Sequence, residues 1–430
     1  MLDRLIKRYD LSFRNILYFI AAMPLATTLK VNIGVLEVSD FAISAIILIW
    51  FSRRWKPRSE KRLFHYFSPL IMPFCVFMAW ALFTSLMAYE HVAADGLLGM
   101  FLRIIKMTAY MFIFWIMATE SILKKRAHRY IFWGFVAGLA LNGMAILRGY
   151  EGDGNIENIL NPGSSVAMNE DNEYTGPQHH GGLGMANPLG SVLACYLIYL
   201  IALFMRKKTV IVGGILLSLL YSLVIGVSRG AWATFLFGLI LFYGGGKYRV
   251  VGLLSLLIVL IIVSQASIFQ ERLFTPQEGS YDGQRLEIAA FFLKRSLDDP
   301  VFGKGFYSRF YRSDSPQSGT HNQYIQTLFE TGFIGLVLYI FALLQMRKFI
   351  KRISDRPARK LLGVVFITQL FSVLSGEYWY ADSIFCAQII LYAYIFLESS
   401  REKVAEITLA PQRSPRRYFN EFPDSPAIPA

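Results

Sequence analysis

The chain has 430 residues, of which 54% are hydrophobic and 17% are charged, and its formal net charge is +13. A soluble domain carries about 25% charged residues, so this composition excludes an ordinary soluble protein. The apolar residues gather in stretches of about 17 to 25 residues, long enough to cross a bilayer as helices. The basic excess would indicate nucleic-acid binding in a soluble chain, but Lys and Arg also collect in the cytoplasmic loops of membrane proteins. We therefore expect the lipid bilayer, and no nucleic acid, as a partner.

Taken in chain order, the apolar stretches predict an all-α, polytopic membrane protein with about twelve transmembrane helices. The predicted spans are about 15–29, 34–51, 69–88, 99–119, 130–147, 185–205, 209–227, 231–245, 250–268, 323–346, 361–377 and 381–398. They form one transmembrane domain over residues 1–400. Residues 401–430 hold several prolines and scattered charge, and they are predicted to form a disordered cytoplasmic tail.

The distribution of Lys and Arg orients these spans. With the N-terminus placed in the cytoplasm, the segments on that side hold 31 of the 43 Lys and Arg residues. Those segments are 1–14, 52–68, 120–129, 206–208, 246–249, 347–360 and 399–430. Such an excess marks the cytoplasmic side, so both termini are predicted to be cytoplasmic. The basic N-terminal segment shows no small-residue cleavage site, and we interpret the first apolar stretch as a retained helix.

Two outer loops are long, about 148–184 and 269–322, and loops of this length are usually functional or disordered. The second loop predicts a short amphipathic helix that starts with Asp282 as N-cap and stops at Asp298-Asp299-Pro300. Its apolar residues recur at helical spacing: Leu286, Ala289, Ala290, Leu293 and Leu297. This helix is predicted to lie on the membrane surface or on the outer rim of the bundle, where it either covers a cavity or simply packs.

His321 stands at the entrance to the tenth span, directly before Asn322. Thr320 or Asn322 could cap that helix. A helix N-terminus favours an anionic ligand, and its field also favours neutral imidazole, the form that a general base requires. The alternative is that His321 merely caps the helix or makes a hydrogen bond at the interface.

Two arginines fall on the same side of the predicted bilayer as His321. Arg229 lies in the short turn between the seventh and eighth spans, which has no other charge, and Gly230 follows it. Arg285 opens the predicted loop helix. Each arginine could simply snorkel or be solvated. Together with His321, however, two guanidinium groups suit a diphosphate leaving group and an acceptor hydroxyl.

Secondary candidates lie in the other outer segments: Asn322, Lys304, Arg309, Glu377 and Tyr380. Lys304 and Arg309 could assist with phosphate or be ordinary loop charges. Ionisable residues at the end of a span, such as Glu377, often simply meet water. The pair His179-His180 lacks a fixed ligand spacing, as do the three cysteines, so no metal site is predicted.

The segment of about 225–340 resembles the signature of the O-antigen ligases and related O-antigen polymerases. The resemblance rests on His321-Asn322, nine intervening residues and Gly332-Phe333-Ile334-Gly335, and upstream on Ser228-Arg229-Gly230, Arg285, Asp299-Pro300 and Gly303-Lys304-Gly305-Phe306. It implies a GT-C-like glycosyltransferase architecture with a periplasmic loop and helix as cover.

The resemblance further implies an enzyme of the bacterial inner membrane that moves a glycan from undecaprenyl diphosphate to a sugar hydroxyl of lipid A core. Transfer would occur on the periplasmic face by direct inverting displacement, with His321 as base or acceptor-orienting group and Arg229 and Arg285 on the diphosphate. Such enzymes are metal-independent, so no cofactor is expected. An O-antigen or polysaccharide polymerase is the alternative within the superfamily. A lipid-linked glycan flippase or other transporter is the alternative from another class.

Overall fold

The computed structural model of the protein describes residues 13–22, 32–33, 36–52, 58–88, 94–123, 130, 133–134, 137–138, 186–225, 229–244, 250, 281–306, 308, 320 and 322–374. Within these residues the chain forms ten helices and one pair of short strands. The helices are α1 (Phe13–Ala22), α2 (Val38–Ser52), α3 (Arg58–Met87), α4 (Ala94–Leu123), α5 (Ala186–Lys207), α6 (Val210–Ile225), α7 (Arg229–Tyr243), α8 (Tyr281–Ser296), α9 (Gln323–Arg352) and α10 (Arg356–Ser372). The strands β1 (Asn32–Ile33) and β2 (Leu36–Glu37) pair antiparallel before α2.

The predicted helical class is confirmed, and nine of the predicted spans contain a described helix. The prediction is wrong at the start of the second span, where β2 precedes a helix that begins at Val38. Among the described helices, α9 alone is long and apolar enough to cross a membrane. Shorter apolar stretches occur in α2, α3, α5, α6 and α7.

The twelve-span arrangement, the GT-C-like architecture and the cytoplasmic termini stay predictions. Spans 250–268 and 381–398 lie almost wholly outside the described residues, as do the loop 148–184 and the tail 401–430. Span 130–147 is described at five positions, all of them helical.

Helix α3 begins earlier than the hydropathy pattern indicates. The sequence predicts a cytoplasmic loop over 52–68, yet the helix starts at Arg58 and contains Pro69 and Pro73 in its interior. Proline is tolerated in membrane helices because neighbouring groups satisfy the backbone carbonyls that it leaves free. Residues 58–68, which the sequence predicts as part of a loop, therefore belong to the same helix as the apolar residues that follow them.

The connection from α9 to α10 is also shorter than the predicted loop 347–360. Helix α9 continues to Arg352 and α10 starts at Arg356, so the connection shrinks to three residues, 353–355. Lys351 and Arg352 occupy the last turn of α9, where cations favour the negative end of the helix dipole. Hydropathy marks where apolar residues stop, and helical hydrogen bonding continues past that point.

Helix α9 lies at the centre of the described contacts, since it packs against α3, α8 and α10. Helix α3 contacts α4, which packs on α2, while α10 contacts α5 and α7. Between α3 and α9, the rings of Phe77 (2% exposed) and Tyr339 (1% exposed) approach to 5.8 Å between centroids. Helix α9 therefore contacts α8, which carries Arg285, and it is linked through α10 to α7, which carries Arg229.

A break in α9 organises the segment that precedes it. Gly332 has a φ of 66° and a ψ of −172°, in a region of backbone space that belongs to glycine. Loop 298–306, which follows α8, packs its backbone against the break. Three hydrogen bonds join them: Lys304 N to Phe329 O (2.9 Å), Gly305 N to Glu330 O (2.9 Å) and Phe333 N to Pro300 O (2.7 Å). We call this contact of loop 298–306 with residues 329–333 the Gly332 junction.

Trp80 of α3 completes the Gly332 junction from the other side. Its Nε1 donates to the Thr331 carbonyl at 2.9 Å, and its ring stacks on Phe302 with 5.8 Å between centroids. A Cβ on Gly332 would lie 2.2 Å from the Val301 carbonyl oxygen. The backbones therefore approach so closely that the position has room for glycine and for no larger residue.

Substituting Gly332 with Ala should destabilise the protein by about 2–4 kcal/mol, because it adds backbone strain to a clash with Val301. The measurement is the thermal unfolding midpoint of the detergent-solubilised protein. Gly363→Ala in α10 is the matched control, since its Cβ would meet nothing within 4 Å and Ala favours a helix. Equal midpoints for the two variants would contradict the need for glycine at the break.

Candidate active site

The N-terminus of α9 is capped by Asn322, as one of the two sequence alternatives predicts. The Asn322 Oδ1 accepts hydrogen bonds from the amides of Tyr324 (2.9 Å) and Ile325 (3.1 Å), which a helix start otherwise leaves without partners. The cap residue has extended backbone angles, with φ −147° and ψ 115°. The cap therefore fixes the side chain and the backbone of Asn322 at the start of α9.

The same helix start is tied to the end of α10. The Asn322 Nδ2 donates to the Leu374 carbonyl at 3.3 Å, and the Gln323 amide donates to the Val373 carbonyl at 3.0 Å. Carbonyls at the end of α10 thus accept hydrogen bonds from the start of α9. Glu377 and Tyr380 follow shortly after this contact in the sequence, and they lie outside the described residues.

His321 itself lies outside the described residues, but both of its neighbours are described. Thr320 is 1% exposed, and its Oγ1 donates to the Asn322 carbonyl at 2.8 Å and accepts from the Asn322 amide at 3.3 Å. One buried hydroxyl thus joins the two residues that flank His321.

Helix α8 confirms the predicted loop helix, and it ends before Asp298-Asp299-Pro300 as predicted. Its start differs by two residues, because an N-cap at Asp282 predicts a helix from residue 283 and the helix begins at Tyr281. Phe292 is fully buried, and its ring meets Phe329 of α9 edge-on at 4.9 Å. Helix α8 therefore packs on the first half of α9 through an aromatic contact.

The leucine stripe predicted for α8 does not form that contact. Leu286, Leu293 and Leu297 are 75%, 48% and 72% exposed. The helix has two apolar faces, and the face with the larger aromatic side chain is the one that packs. Arg285 lies seven residues before Phe292, so its backbone is on the side of α8 that faces α9.

Arg229 is the first residue of α7. Phe237 of α7 stacks on Phe371 of α10 at 4.4 Å, and the Lys360 ammonium lies 5.8 Å from the Phe242 ring, so α7 and α10 run antiparallel. Arg229 precedes Phe237 by eight residues, or about 12 Å of helix. Its backbone therefore lies at the end of the bundle where α10 stops and α9 starts.

The structure thus brings three of the predicted elements to one end of the bundle: the start of α7, the start of α9 and the end of α10. Helix α8 packs beside them on α9. The structure describes the backbone of Arg229 and of Arg285, and their side chains lie outside the described part.

Lys304 is placed in loop 298–306, where its Nζ forms an ion pair with a carboxylate oxygen of Asp299. The Asp299 side chain is 53% exposed, whereas that of Lys304 is 16% exposed. A carboxylate partner offsets part of the positive charge that a phosphate would meet. The role of Lys304 in phosphate binding stays a prediction, and Arg309 lies outside the described residues.

Sequence reasoning assigned no role to a row of buried polar side chains on the first turns of α9. These are Gln323, Gln326, Thr327, Glu330 and Thr331, each at most 3% exposed. Their spacing of three or four residues puts them on one side of the helix. That spacing is visible in the sequence, and polar residues inside an apolar span are functional candidates.

Cys75 and Cys195 are free thiols in α3 and α5, and Cys386 lies outside the described residues. Within the described part of the chain, no three His, Cys, Asp or Glu side chains lie close enough to hold a metal ion. The pair His179-His180 falls outside that part.

The described residues form an apolar helical bundle in which α9 is long and apolar enough to cross a membrane and carries buried polar groups on its first turns. Residues 214–340 match the family model of the O-antigen ligases, which confirms the resemblance to the O-antigen ligase and polymerase superfamily. The matched segment runs from α6 into α9 and contains Arg229, Arg285 and His321. No curated protein matches the sequence.

The family match carries general properties with it. The family consists of bacterial membrane proteins, and it implies a glycosyltransferase-like activity in lipopolysaccharide biosynthesis. In general terms, the family implies a lipid-linked glycan and lipid A core as partners.

Replacing the cap residue should separate its two interactions. Asn322→Ala removes the cap and the bond to Leu374, and it should destabilise the protein by about 1–3 kcal/mol. Asn322→Asp keeps an acceptor for the helix amides and loses the donor to Leu374, so it should recover at least half of that loss. Thermal unfolding in detergent measures both effects, and an Asp variant no more stable than the Ala variant would contradict the capping role.

Proposed function

We propose that this protein is an O-antigen ligase-like glycosyltransferase. It moves a glycan from undecaprenyl diphosphate to a sugar hydroxyl of lipid A core on the periplasmic face of the inner membrane. The observation that carries the proposal is the family match over 214–340, which contains His321, Arg229 and Arg285. It is supported by the helix contacts that put the starts of α7 and α9 at one end of the bundle.

In the proposed reaction, His321 takes the proton of the acceptor hydroxyl. The hydroxyl oxygen then forms a bond to the anomeric carbon of the donor, and the bond from that carbon to the diphosphate oxygen breaks. A sugar hydroxyl is a weak nucleophile at neutral pH, and a positioned base accelerates such steps by about 10²–10⁴-fold. A single displacement of this kind inverts the configuration at the anomeric carbon.

The diphosphate leaves with the electron pair of the broken bond and gains negative charge. Arg229 and Arg285 are proposed to stabilise that charge, because a guanidinium group donates two parallel hydrogen bonds to phosphate oxygens. Fixed cations in a site that excludes water stabilise a developing charge more than solvent does. The proposal needs neither a metal ion nor a cofactor, since the two arginines supply the positive charge.

The test is a reconstituted transfer assay with purified protein, an undecaprenyl-diphosphate-linked glycan and a lipid A-core acceptor. His321→Ala, Arg229→Ala and Arg285→Ala should each lower the rate of transfer by at least about 100-fold. Arg295→Ala is the matched control for Arg285, because it removes an exposed arginine from the other end of α8. Chelator should leave the wild-type rate unchanged.

Three results would redirect the proposal. Longer glycans on the carrier lipid, with no modified acceptor, would identify a polymerase. Movement of the lipid-linked glycan across vesicles without any transfer would identify a transporter. Wild-type transfer by all three alanine variants would overturn the assigned site while leaving the ligase activity itself in place.

A further inference from the structure

We infer that loop 298–306 dips into the outer leaflet of the bilayer, and that Val301 and Phe302 contact lipid acyl chains there. This inference rests on the proposed function, since that function places the protein in the inner membrane. We call these two residues the loop tip. Val301 is 46% exposed and Phe302 is 45% exposed, although both side chains are large and apolar. Adjacent exposed apolar side chains mark an interaction surface, and the neighbouring helices indicate its partner.

Helix α3 carries a row of exposed apolar residues that runs past the loop tip. The row consists of Met72, Val76, Phe83 and Met87. Their intervals of four, seven and four residues put them on one face of the helix. The Phe302 ring lies 5.8 Å from the Trp80 ring and 6.0 Å from the Phe83 ring, measured between centroids. Because Val76 and Met87 lie on either side of that contact along α3, the exposed row continues past Phe302 in both directions.

Helix α9 carries a second exposed apolar row, which begins directly after its break. The row consists of Phe333, Val337, Phe341 and Leu344. Among the described helices, α9 is the one long and apolar enough to cross a membrane, so this row faces lipid in the proposed placement. The Phe333 amide donates to the Pro300 carbonyl at 2.7 Å, which brings the loop tip to the start of the row. The loop tip therefore extends an apolar surface that two helices already form.

Phe302 lies below the end of α3 that the proposed orientation places outside. Trp80 and Phe83, which contact its ring, precede Met87 by seven and four residues. At 1.5 Å per residue, the contact lies about 6–10 Å from the helix end. Interfacial apolar groups reach about 5–10 Å into the boundary between headgroups and acyl chains. The position of Phe302 along α3 thus matches the depth of a residue that inserts into one leaflet.

The backbone of the loop is suited to that depth. Irregular backbone at membrane level is tolerated where the protein itself satisfies its polar groups. In the Gly332 junction, the amides of Lys304 and Gly305 donate to carbonyls of α9. The Gly303 amide donates to the Asp299 carbonyl at 2.9 Å, and Pro300 has no amide hydrogen. The junction therefore binds polar backbone groups around the loop tip, while the side chains of the tip stay exposed.

The acidic side chains that precede the loop tip are paired with cations. The Arg295 Nη1 lies 3.3 Å from the Asp298 Oδ2, and the Lys304 Nζ forms an ion pair with Asp299. Pairing lowers the cost of holding charged groups close to lipid. The side chains of Asp298 and Asp299 are 47% and 53% exposed, as expected for groups at headgroup level. The charges thus leave the loop tip itself neutral and apolar.

The exposed leucines of α8 lead to the same surface. Leu286, Leu293 and Leu297 follow one another at seven and four residues, on one face of the helix. This face lies about 100° around the helix from the face that packs through Phe292. Leu297 precedes Val301 by four residues, so exposed apolar side chains continue from α8 into the loop. Contact with the membrane surface accounts for a leucine stripe that does not pack on α9.

The test uses single cysteines labelled with bimane, in a chain whose Cys75, Cys195 and Cys386 are replaced by Ala. Each labelled protein is reconstituted in nanodiscs of phosphatidylcholine and phosphatidylglycerol. Half of the samples carry bromine atoms on the acyl chains, which quench bimane on contact. Emission from Phe302→Cys should fall at least about twofold in the brominated nanodiscs, because the label meets acyl chains.

Two controls bracket this measurement. Leu344→Cys lies on the exposed row of α9 and should be quenched at least as strongly as Phe302→Cys. Glu287→Cys is exposed on α8, about 100° around the helix from the leucines, and should keep its emission. If Phe302→Cys fails to fold because the aromatic stack is lost, Val301→Cys replaces it with the same expectation.

The outcomes separate the lipid contact from the proposed function. Quenching at Leu344→Cys with none at the loop tip would overturn the lipid contact and leave the proposed function in place. A disulfide between two copies of Phe302→Cys, without quenching, would overturn it in favour of a second copy of the chain as partner. No quenching at Leu344→Cys would overturn the membrane placement on which both depend. Quenching at both positions in a protein that transfers no glycan would keep the lipid contact and overturn the proposed reaction.

Discussion

The break of α9 at Gly332 is the constraint on which the neighbouring structure depends. A buried amide or carbonyl without a hydrogen-bond partner costs about 1–3 kcal/mol. The break is tolerated because loop 298–306 donates to the carbonyls of Phe329 and Glu330, and the Trp80 indole donates to that of Thr331. The glycines that the family motif contains at 303 and 332 allow this approach, since a side chain at either position would collide with the other backbone.

This junction has a consequence for the proposed site. Loop 298–306 is the direct continuation of α8, so fixing the loop on α9 also fixes the helix that bears Arg285 relative to the helix that follows His321. Phe292 and Phe329 add an aromatic contact one turn away. One set of backbone hydrogen bonds thereby joins the two segments that carry Arg285 and His321 in the proposed site, which lie 36 positions apart in the sequence. A glycosyl transfer of the proposed kind requires this arrangement, because the base and the leaving-group ligands must act on one donor at the same time.

The polar row on α9 buries its groups together with their hydrogen-bond partners. Gln323, Gln326 and Thr327 bond to one another or to neighbouring turns, so their burial leaves hydrogen-bonding partners in place. After the break the helix presents exposed apolar residues such as Phe333, which is 62% exposed. One helix therefore combines buried polar side chains before the break with exposed apolar side chains after it.

The sequence alone determined the helical class, the position of most helices, two candidates for the cap of α9 and the end of α8, because hydropathy and capping act within a few residues of chain. It misplaced the start of α3, where prolines lie inside a helix, and it identified the leucine stripe of α8 but not the Phe292 face that packs on α9. The family motif contains Gly303 and Gly332, but it gave no physical reason why these positions need glycine. Only the tertiary structure decided which face of α8 packs, why α9 breaks and how the start of α9 is tied to the end of α10. Each of these depends on partners far away in the sequence, and local patterns carry no record of which partner a side chain or a backbone group will meet.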